Sequence, residues 1–520
     1  MADVKLTIDG REVEVPRGTT VIQAARKLGT DVPHYCWHPG LKVAGNCRIC
    51  LVEVEGMPTV QISCNLEVRE GMVVHTESAK AKQARRDVME LLLINHPLDC
   101  PICDQAGECK LQEYSFEFGS DGSRFQFPKV HKPKHVRFSE KVTFDAERCI
   151  LCTRCVRFLD EVAGRDELDI VNRGDRNEIA VARGAELTSP YQMNIVDICP
   201  VGALTSTDFR FKSRVWFLKQ TRTVCPSCSR GCNVTAGARW NRLLRLVPAE
   251  NQAVNRWWMC DDGRLAIGHV GADDRLGAPL VRKDGALVET TWDEALRAAA
   301  DGLRAAGANL LALVSARLTN EELFLARRIL DALGTPHRDV KPRAWERDEL
   351  LRTGDGNPNA EGARILGIAP RAGGRGLAAW GGSAIGAAFL CGEDLDDRPE
   401  LLDALAKASF VLVLDSRETA TVKRVATVVL PGVTSFEKDG SFTNVDGRVQ
   451  RLLPVVSAPG DARPDWRVLG ELGALLGCGA APRSADEALR ALAAAEPAFA
   501  GLSLGRLGAL GREAAREAAR

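Results

Sequence analysis

The sequence predicts a multidomain protein in which several small α+β domains rich in cysteine precede a larger α/β domain. Three observations support this fold class. The chain has 520 residues, which at about 100–200 residues per domain corresponds to three to five domains. Fifteen of its 17 cysteines lie between Cys36 and Cys260. Beyond residue 293 the sequence alternates between helical and strand patterns, which is typical of α/β layers around a parallel sheet.

Composition and charge exclude several classes of protein. Lys and Arg together number 69, as do Asp and Glu, so the formal net charge is zero and we expect no nucleic-acid partner. The hydrophobic fraction of 45% excludes a mainly disordered chain. No apolar run approaches the roughly 18 residues of a membrane-spanning helix, and the first ten residues do not resemble a secretory signal. In a large cytosolic chain, many cysteines indicate metal sites rather than disulfides.

The fifteen N-terminal cysteines form four groups, and each group has four candidate ligands if one histidine is counted. Four thiolate or imidazole ligands suit either tetrahedral zinc or an iron–sulfur cluster. In chain order, group one is Cys36, Cys47, Cys50 and Cys64; group two is His96, Cys100, Cys103 and Cys109; group three is Cys149, Cys152, Cys155 and Cys199; and group four is Cys225, Cys228, Cys232 and Cys260.

Group one belongs to a predicted domain at residues 1–79. Residues 4–15 read as a hairpin, and a helix capped by Thr19 or Thr20 and closed by Gly29 follows. A strand pair and a helix before a cysteine loop are typical of a β-grasp 2Fe-2S ferredoxin, although the C-x10-C-x2-C-x13-C spacing differs from the plant-type loop. A zinc ribbon is the alternative, and the single C-x2-C pair disfavours it.

Group two lies in the segment 80–119. A helix with Val88, Leu91 and Leu92 on one face is predicted to end just before His96. The following loop has only three cysteines, so His96 is the nearest candidate for a fourth ligand of a 4Fe-4S cluster, where imidazole would raise the reduction potential. The alternative is that His96 only caps the C-terminus of the helix.

Group three predicts a single-cluster ferredoxin-like domain at residues 138–210. Bacterial two-cluster ferredoxins repeat C-x2-C-x2-C-x3-C-P, and the fourth cysteine of each run serves the other cluster. Here one complete set of ligands remains, ending at Cys199 before a proline. The positions of the other set hold Leu159, Ser189, Gln192 and Ile195. This complementary pattern favours one 4Fe-4S cluster over zinc.

Group four has the spacing C-x2-C-x3-C followed by Cys260 and predicts another 4Fe-4S site at residues 218–274, with a zinc knuckle as the alternative. The cysteines and the sequence VRKDGALVETTWDEAL after them resemble the N-terminal region of molybdenum bis-guanine-dinucleotide oxidoreductases.

The C-terminal half predicts a molybdopterin-oxidoreductase-like α/β domain at residues 275–480, followed by an Ala- and Arg-rich tail, helical or frayed, at 481–520. Thr319 with Glu322 forms a capping box that opens a helix. Further elements are a helix at 293–306 and strands at 309–316, 410–416 and 427–431.

The segment Glu437–Gln450 also resembles the molybdopterin family, but the family's metal-ligand segment has no counterpart here. We therefore interpret Cys391, at a predicted strand end, and Cys478 as ordinary semi-buried thiols and expect no molybdopterin. Residues 374–379 fit G-x-G-x-x-A without a preceding strand, so a surface loop is favoured over a dinucleotide site.

The order of these sites resembles the 75 kDa-type iron–sulfur subunit of respiratory complex I, the NADH-quinone oxidoreductase, over about residues 3–470. The resemblance implies one 2Fe-2S cluster in group one and 4Fe-4S clusters in groups two, three and four, with no catalytic residues. Group four matches a cluster that only some members keep. The implied role is electron relay from an NADH- and FMN-binding subunit towards quinone, within a proton-translocating complex. The partners would be other peripheral-arm subunits, and the location the cytoplasmic side of the plasma membrane, with only indirect membrane contact.

Three alternatives remain. The catalytic α subunit of an NAD-linked formate dehydrogenase would share the N-terminal sites but bind molybdenum or tungsten. An iron-only hydrogenase would need both ferredoxin clusters and a cysteine-rich C-terminus. A zinc scaffold would contain no iron.

Overall fold

The structure is a computed structural model that describes residues 3–382 and 384–514. The chain divides into two compact units, Met1–Leu218 and Lys219–Arg520. Across the described residues, no helix combines the length and the apolar character needed to span a membrane.

The first unit begins with a β-grasp arrangement, as predicted. Five strands pair in the order β2-β1-β5-β3-β4, and the hairpin β1–β2 is antiparallel while β1 and β5 are parallel. Thr20 caps the helix, Gln23 completes a capping box, and Gly29 follows at φ 76°. The elements are β1 (Asp3–Ile8), β2 (Arg11–Pro16), α1 (Val21–Lys27), β3 (Leu51–Val54), β4 (Gln61–Ile62) and β5 (Met72–His75).

Two helices, α2 (Ala79–Leu93) and α3 (Lys110–Phe118), flank the loop of group two. The predicted apolar face of α2 is wrong, because Leu91 is 68% exposed while Arg85 and Met89 are buried. The inward face of α2 is set by hydrogen bonds rather than by apolar packing, because the Arg85 guanidinium donates to the carbonyl oxygens of Leu51 and Thr76.

The rest of the first unit contains a three-stranded sheet of order β10-β7-β6 and a two-stranded sheet of β8 and β9. Strands β7 and β10 pair antiparallel, and Leu204 lies opposite Phe144. This pairing brings the loop after β7 close to the segment before β10, which together carry group three. The elements are β6 (Val136–Arg137), β7 (Val142–Phe144), α4 (Arg154–Glu161), β8 (Asp169–Val171), β9 (Glu178–Ala180), α5 (Asn194–Asp197) and β10 (Leu204–Ser206).

The second unit starts with a three-stranded antiparallel sheet that carries group four. It consists of β11 (Lys219–Val224), β12 (Asn233–Arg239) and β13 (Arg242–Pro248), and α6 (Asp261–Leu265) follows.

The predicted α/β layers are confirmed in a seven-stranded sheet of order β15-β14-β22-β21-β20-β16-β17. The five strands from β22 to β17 in that order are parallel. The capping box is also confirmed, because the backbone nitrogen of Glu322 donates to the Thr319 hydroxyl and that of Thr319 donates to the Glu322 carboxylate. The elements are β14 (Leu280–Lys283), β15 (Ala286–Glu289), α7 (Trp292–Ala306), β16 (Leu311–Val314), α8 (Asn320–Ala332), β17 (Arg338–Asp339), β18 (Ala344–Arg347), β19 (Thr353–Asp355), α9 (Ala360–Ile365), β20 (Ala387–Cys391), α10 (Pro399–Leu405), β21 (Phe410–Asp415), α11 (Ala420–Val425) and β22 (Val428–Pro431).

The end of the described chain is part of this core, whereas the sequence prediction separated residues 481–520 as a tail. Helix α13 packs against α8, and its buried face includes Leu489 and Leu492. Strand β25 pairs with β24. Small alanine side chains allow this close helix packing; residues 515–520 lie outside the described part. The remaining elements are β23 (Gly440–Thr443), β24 (Arg448–Leu452), α12 (Asp465–Leu475), α13 (Ala485–Ala495), α14 (Leu504–Leu507) and β25 (Arg512–Glu513).

Candidate iron–sulfur sites

The four cysteines of group one lie together between α1 and β5. The backbone nitrogen of Cys36 lies 3.4 Å from Sγ of Cys47, and side-chain hydrogen bonds join Cys36 to Cys47 and Cys64, and Cys64 to Cys50. Hydrogen bonds from Cys47 and Cys64 lower the pKa of the Cys36 thiol to about 2, and one from Cys64 lowers the pKa of Cys50 to about 7. The same hydrogen bonds raise the pKa of the partner thiols Cys47 and Cys64, so the four sulfur atoms lie within hydrogen-bond reach of one another, close enough for one metal cluster to bind them all.

The cysteines of group two line a short loop. Cys100 and Cys103 share a backbone hydrogen bond of 3.1 Å, and Cys109 caps the N-terminus of α3. Burial raises the pKa of the Cys103 thiol, and it raises the pKa of the Cys109 thiol to about 11. A metal ion deprotonates the thiols that coordinate it, so these raised pKa values in the metal-free chain are compatible with a ligand role.

His96 lies just beyond the C-terminus of α2, where the sequence leaves two roles open, a cluster ligand and a helix cap. Burial lowers the pKa of its imidazole to about 4, so the ring is neutral near pH 7. Its Nδ1 atom is buried and, within the described residues, has no hydrogen-bond partner, which is unusual for a buried polar atom. The C-terminal carbonyl oxygens of α2, at Leu93 and Ile94, accept instead from Nζ of Lys129.

Group three surrounds the N-terminus of α4. Leu151 and Thr153 have φ of 52° and 61°, so the loop curls, and the backbone nitrogen of Leu151 lies 3.4 Å from Sγ of Cys149. Burial raises the pKa of the Cys149 and Cys199 thiols to about 12. Burial also raises the pKa of the neighbouring thiols Cys152 and Cys155.

Buried core residues occupy the positions of the missing second ligand set. Leu159 and Ile195 are fully buried, and Ser189 and Gln192 are buried polar residues. Gln192 accepts from the Ser139 hydroxyl and donates to the carbonyl oxygen of Leu187. This ferredoxin-like domain therefore keeps one set of four ligands, and buried core residues occupy the positions of the other set.

Group four joins β11 to α6. The backbone nitrogen of Cys225 donates to the carbonyl oxygen of Cys232 over 2.9 Å, and Cys260 caps α6. A Cβ atom on Gly263 would lie 3.0 Å from Sγ of Cys225 and 3.4 Å from Sγ of Cys260, so both sulfurs flank one glycine. Burial raises the pKa of the Cys260 thiol to about 12 and that of Cys228 to about 11.

The chemistry of the donors fits iron–sulfur clusters. All 17 cysteines are free thiols, and the fifteen of the four groups, with the unpaired nitrogen of His96, are soft ligands in largely buried positions. Among the described residues, no group of three or more His, Cys, Asp or Glu side chains is arranged to hold a single metal ion.

The sequence analysis did not identify three arginines that lie beside group three. Arg148 pairs with Asp99 and Asp145, and Arg154 and Arg157 bind backbone carbonyls in two cysteine loops. A local pattern marks them, because Arg148 and Arg154 each directly precede a cysteine of group three and Arg157 lies two residues after Cys155.

The two C-terminal cysteines belong to the α/β part of the second unit. Cys391 ends β20, as predicted, but it is fully buried rather than semi-buried, and Cys478 is half-buried. Burial raises the pKa of Cys391 well above its usual range. At the glycine-rich segment, a Cβ atom on Gly374 would lie 2.2 Å from the carbonyl oxygen of Pro336, and a short 3-10 helix follows. Neither a strand before this loop nor an α-helix after it is present in the described residues nearby.

Five family descriptions match the chain in the order of these sites. They are the 2Fe-2S iron-sulfur cluster binding domain at residues 1–79, the NADH-ubiquinone oxidoreductase-G iron-sulfur binding region at 85–124, the ferredoxin-like domain of NADH-quinone oxidoreductase subunit 3 at 139–205, the molybdopterin oxidoreductase Fe4S4 domain at 218–271, and molybdopterin oxidoreductase at 275–342 and 361–475.

Among curated relatives, the NADH-quinone oxidoreductase G subunit of Rickettsia bellii is 40% identical over 350 residues, which are 67% of this chain and 51% of that protein. The matched two thirds of this chain are homologous to the NADH-quinone oxidoreductase G subunit. The mitochondrial 78 kDa subunit of NADH-ubiquinone oxidoreductase from Candida albicans is 38% identical over 384 residues, 71% of this chain and 53% of that protein. The chain thus spans about half the length of these two relatives.

One solved structure, an NAD+-reducing [NiFe]-hydrogenase in the H2-reduced state, is 31% identical over 41% of this chain and 91% of that chain, with a TM-score of 0.37. The homology to the G subunit favours the prediction of a complex I iron–sulfur subunit over the formate dehydrogenase alternative.

Proposed function

We propose that this chain is an iron–sulfur electron-transfer subunit of an NADH-quinone oxidoreductase. The observation that carries the proposal is the order of four buried ligand groups, each within a region that matches an iron–sulfur family. Group one holds a 2Fe-2S cluster, and groups two, three and four each hold a 4Fe-4S cluster. The orphaned Nδ1 atom of His96 supports its place as the fourth ligand of group two.

The chain's own contribution is to hold the clusters and to tune them. Iron–sulfur clusters supply one-electron chemistry, and their potentials depend on ligand type, net charge, hydrogen bonds and burial. In this proposal the chain receives electrons from an NADH- and FMN-binding subunit and passes them towards quinone. Its partners are other peripheral subunits of the complex, on the cytoplasmic side of the plasma membrane, and the isolated chain does not turn over NADH with quinone.

The C-terminal domain is a scaffold without molybdopterin in this proposal. Cys391 is fully buried in the parallel sheet, and the charged groups that act most on its thiol are Asp465 and Glu322 rather than other cysteines. The segment that resembles the molybdopterin family is engaged within the fold: Lys438 contacts Glu322 and Asp465, and Ser441 contacts Glu321.

A count of metals and acid-labile sulfide on the full chain, prepared without oxygen, tests the function. The assignment predicts about 14 iron atoms per chain, from one 2Fe-2S and three 4Fe-4S clusters, with no molybdenum, tungsten or stoichiometric zinc. About one molybdenum or tungsten per chain would contradict it and indicate a catalytic formate dehydrogenase-type subunit. Four zinc ions and no iron would indicate a structural scaffold.

A further inference from the structure

Two arginines one turn apart on α4 each bind the loops of two different cysteine groups. Arg154 donates through Nη1 to the carbonyl oxygen of Ile198 over 2.9 Å and through Nη2 to that of Trp37. Arg157 donates through Nη2 to the carbonyl oxygens of Cys36 and Cys152, over 2.6 and 3.3 Å. Each guanidinium therefore contacts backbone beside or at a ligand of group one and of group three.

Uncharged and backbone contacts reinforce the same junction. The Asn46 side chain donates to the carbonyl oxygen of Leu151 over 3.2 Å, and the backbone nitrogen of Lys42 donates to the carboxylate of Glu161 over 2.8 Å. Asn46 directly precedes a ligand of group one and Leu151 directly precedes one of group three. The two ligand loops are thus joined at several points, and α4 is the element between them.

Arg154 is a buried cation that, among the described residues, has no carboxylate partner. Its exposure is 9%, its Nε atom has no hydrogen-bond partner, and among the described residues no carboxylate forms an ion pair with it. A guanidinium stays protonated inside proteins, and an unbalanced buried charge is strongly unfavourable. The acidic groups that act most on Arg154 are the sulfurs of Cys152 and Cys199 from group three and of Cys47 and Cys36 from group one.

Clusters with four thiolate ligands would supply the missing negative charge from both sides. A cation between two such clusters favours the reduced form of each, because reduction adds one negative charge. The same cation shifts both potentials in the same direction, so the difference between the two clusters changes less than either potential does.

We propose that Arg154 and Arg157 are positioning residues that hold the clusters of groups one and three at a fixed separation, and that the charge of Arg154 raises the reduction potentials of both. This inference rests on the proposed function, since it requires clusters at both groups. It assigns α4 a second role beside its place in the ferredoxin-like fold, that of a charged spacer between two redox centres.

The test uses the full chain with its clusters, prepared without oxygen, and the variants R154Q, R154K and R157Q. Arg11→Gln is the matched control, because Arg11 also donates to a backbone carbonyl, that of Leu28 over 3.1 Å, but binds neither cysteine loop. Iron and sulfide are counted, and the potentials of the two centres are measured by redox titration followed by electron paramagnetic resonance.

We expect R154Q to lower both midpoint potentials while R11Q leaves them unchanged. R154K keeps the positive charge but cannot donate to both carbonyl oxygens as the guanidinium does. Its two midpoint potentials should therefore lie between those of R154Q and the wild type. R157Q should change the magnetic interaction between the two reduced centres, because it releases the Cys36 loop from the Cys152 loop. If R154Q loses iron from groups one and three only, the positioning role is supported, and the potentials of R154K then test the charge.

Unchanged potentials in an iron-replete R154Q would overturn the role of the charge, and a shift at one centre alone would overturn the shared role. An unchanged magnetic interaction in R157Q would overturn the spacer role. These outcomes leave the proposed function intact. A wild-type chain without iron–sulfur resonances would instead contradict the proposed function itself, so the two failures are distinguishable.

Discussion

The backbone nitrogen of Lys110 donates a hydrogen bond of 3.0 Å to the carbonyl oxygen of Pro200. Lys110 directly follows the last cysteine of group two, and Pro200 directly follows that of group three. A second contact joins the same two groups, because Arg148, directly before Cys149, forms an ion pair of 2.6 Å with Asp99, directly before Cys100. Group three is therefore bonded both to group two, through these contacts, and to group one, through α4.

The close approach of groups two and three predicts the effect of adding one methyl group. A Cβ atom on Gly202 would lie 2.3 Å from Sγ of Cys103, so Gly202→Ala should displace this ligand. We expect the variant to lose about four iron atoms, the content of one 4Fe-4S cluster. Gly122→Ala is the control, because a Cβ atom there meets nothing within 4 Å. Full iron content in Gly202→Ala would show that Cys103 is not a ligand in this position.

The ligand role of His96 predicts a change of potential rather than of stability alone. His96→Cys should keep the cluster of group two and lower its midpoint potential, because thiolate replaces neutral imidazole, whereas His96→Ala should lose the cluster. Iron counts and a redox titration followed by electron paramagnetic resonance measure both effects. His131→Ala is the control, because His131 is exposed and pairs with Glu147 at the surface. A His96→Ala chain with full iron and an unchanged potential would exclude His96 as a ligand.

Local patterns were sufficient to predict much of the fold. The hairpin of β1 and β2, the Thr20 cap of α1 and the capping box of Thr319 and Glu322 depend on residues within a few positions of one another, and all three are present. Cysteine spacing likewise depends on short loops. The same local reasoning divided the ligands into four groups, and the contacts within each group agree with that division without testing its chemistry.

Long-range polar contacts were not predictable in this way. The inward face of α2 is decided by Arg85, whose guanidinium reaches Leu51, 34 residues earlier. The contact between Arg157 and Cys36 spans 121 residues. The sequence analysis assigns the residues of helix α13 to an Ala- and Arg-rich tail, helical or frayed, and only the packing of this helix against α8 shows that it belongs to the core.

Cys391 and Cys478 should be dispensable for the metal sites. Burial is the main cause that raises the pKa of both thiols, and the principal electrostatic contributions come from charged residues rather than from other cysteines. We expect the double variant Cys391→Ala, Cys478→Ala to keep the iron content of the wild type, whereas Cys228→Ala should lose about four iron atoms with the cluster of group four. Iron analysis of the full chain distinguishes them. Loss of iron or of another metal in the double variant would contradict the assignment of these cysteines as non-ligands.

A fully buried carboxyl group in the second unit predicts a dependence of stability on pH. The carboxylate of Glu321 accepts hydrogen bonds from the backbone nitrogen and hydroxyl of Ser441, over 2.9 and 2.7 Å. Burial nevertheless raises its pKa from 4.5 to about 7. The unfolded chain, with the ordinary pKa, loses this proton at lower pH than the folded chain does.

Glu321→Gln should therefore remove a loss of stability that the wild type shows as the pH rises from about 4.5 to about 7. In that range the folded state binds more protons at this site than the unfolded state, so the free energy of unfolding falls with rising pH, by up to roughly 3 kcal/mol for a shift of this size. The urea midpoints of variant and wild type, compared at each pH, measure the difference. Exposed Glu289 provides the control Glu289→Gln, which should follow the wild type. Equal pH dependence in Glu321→Gln and wild type would show that the buried carboxyl titrates normally, because the remaining acidic groups are common to both chains.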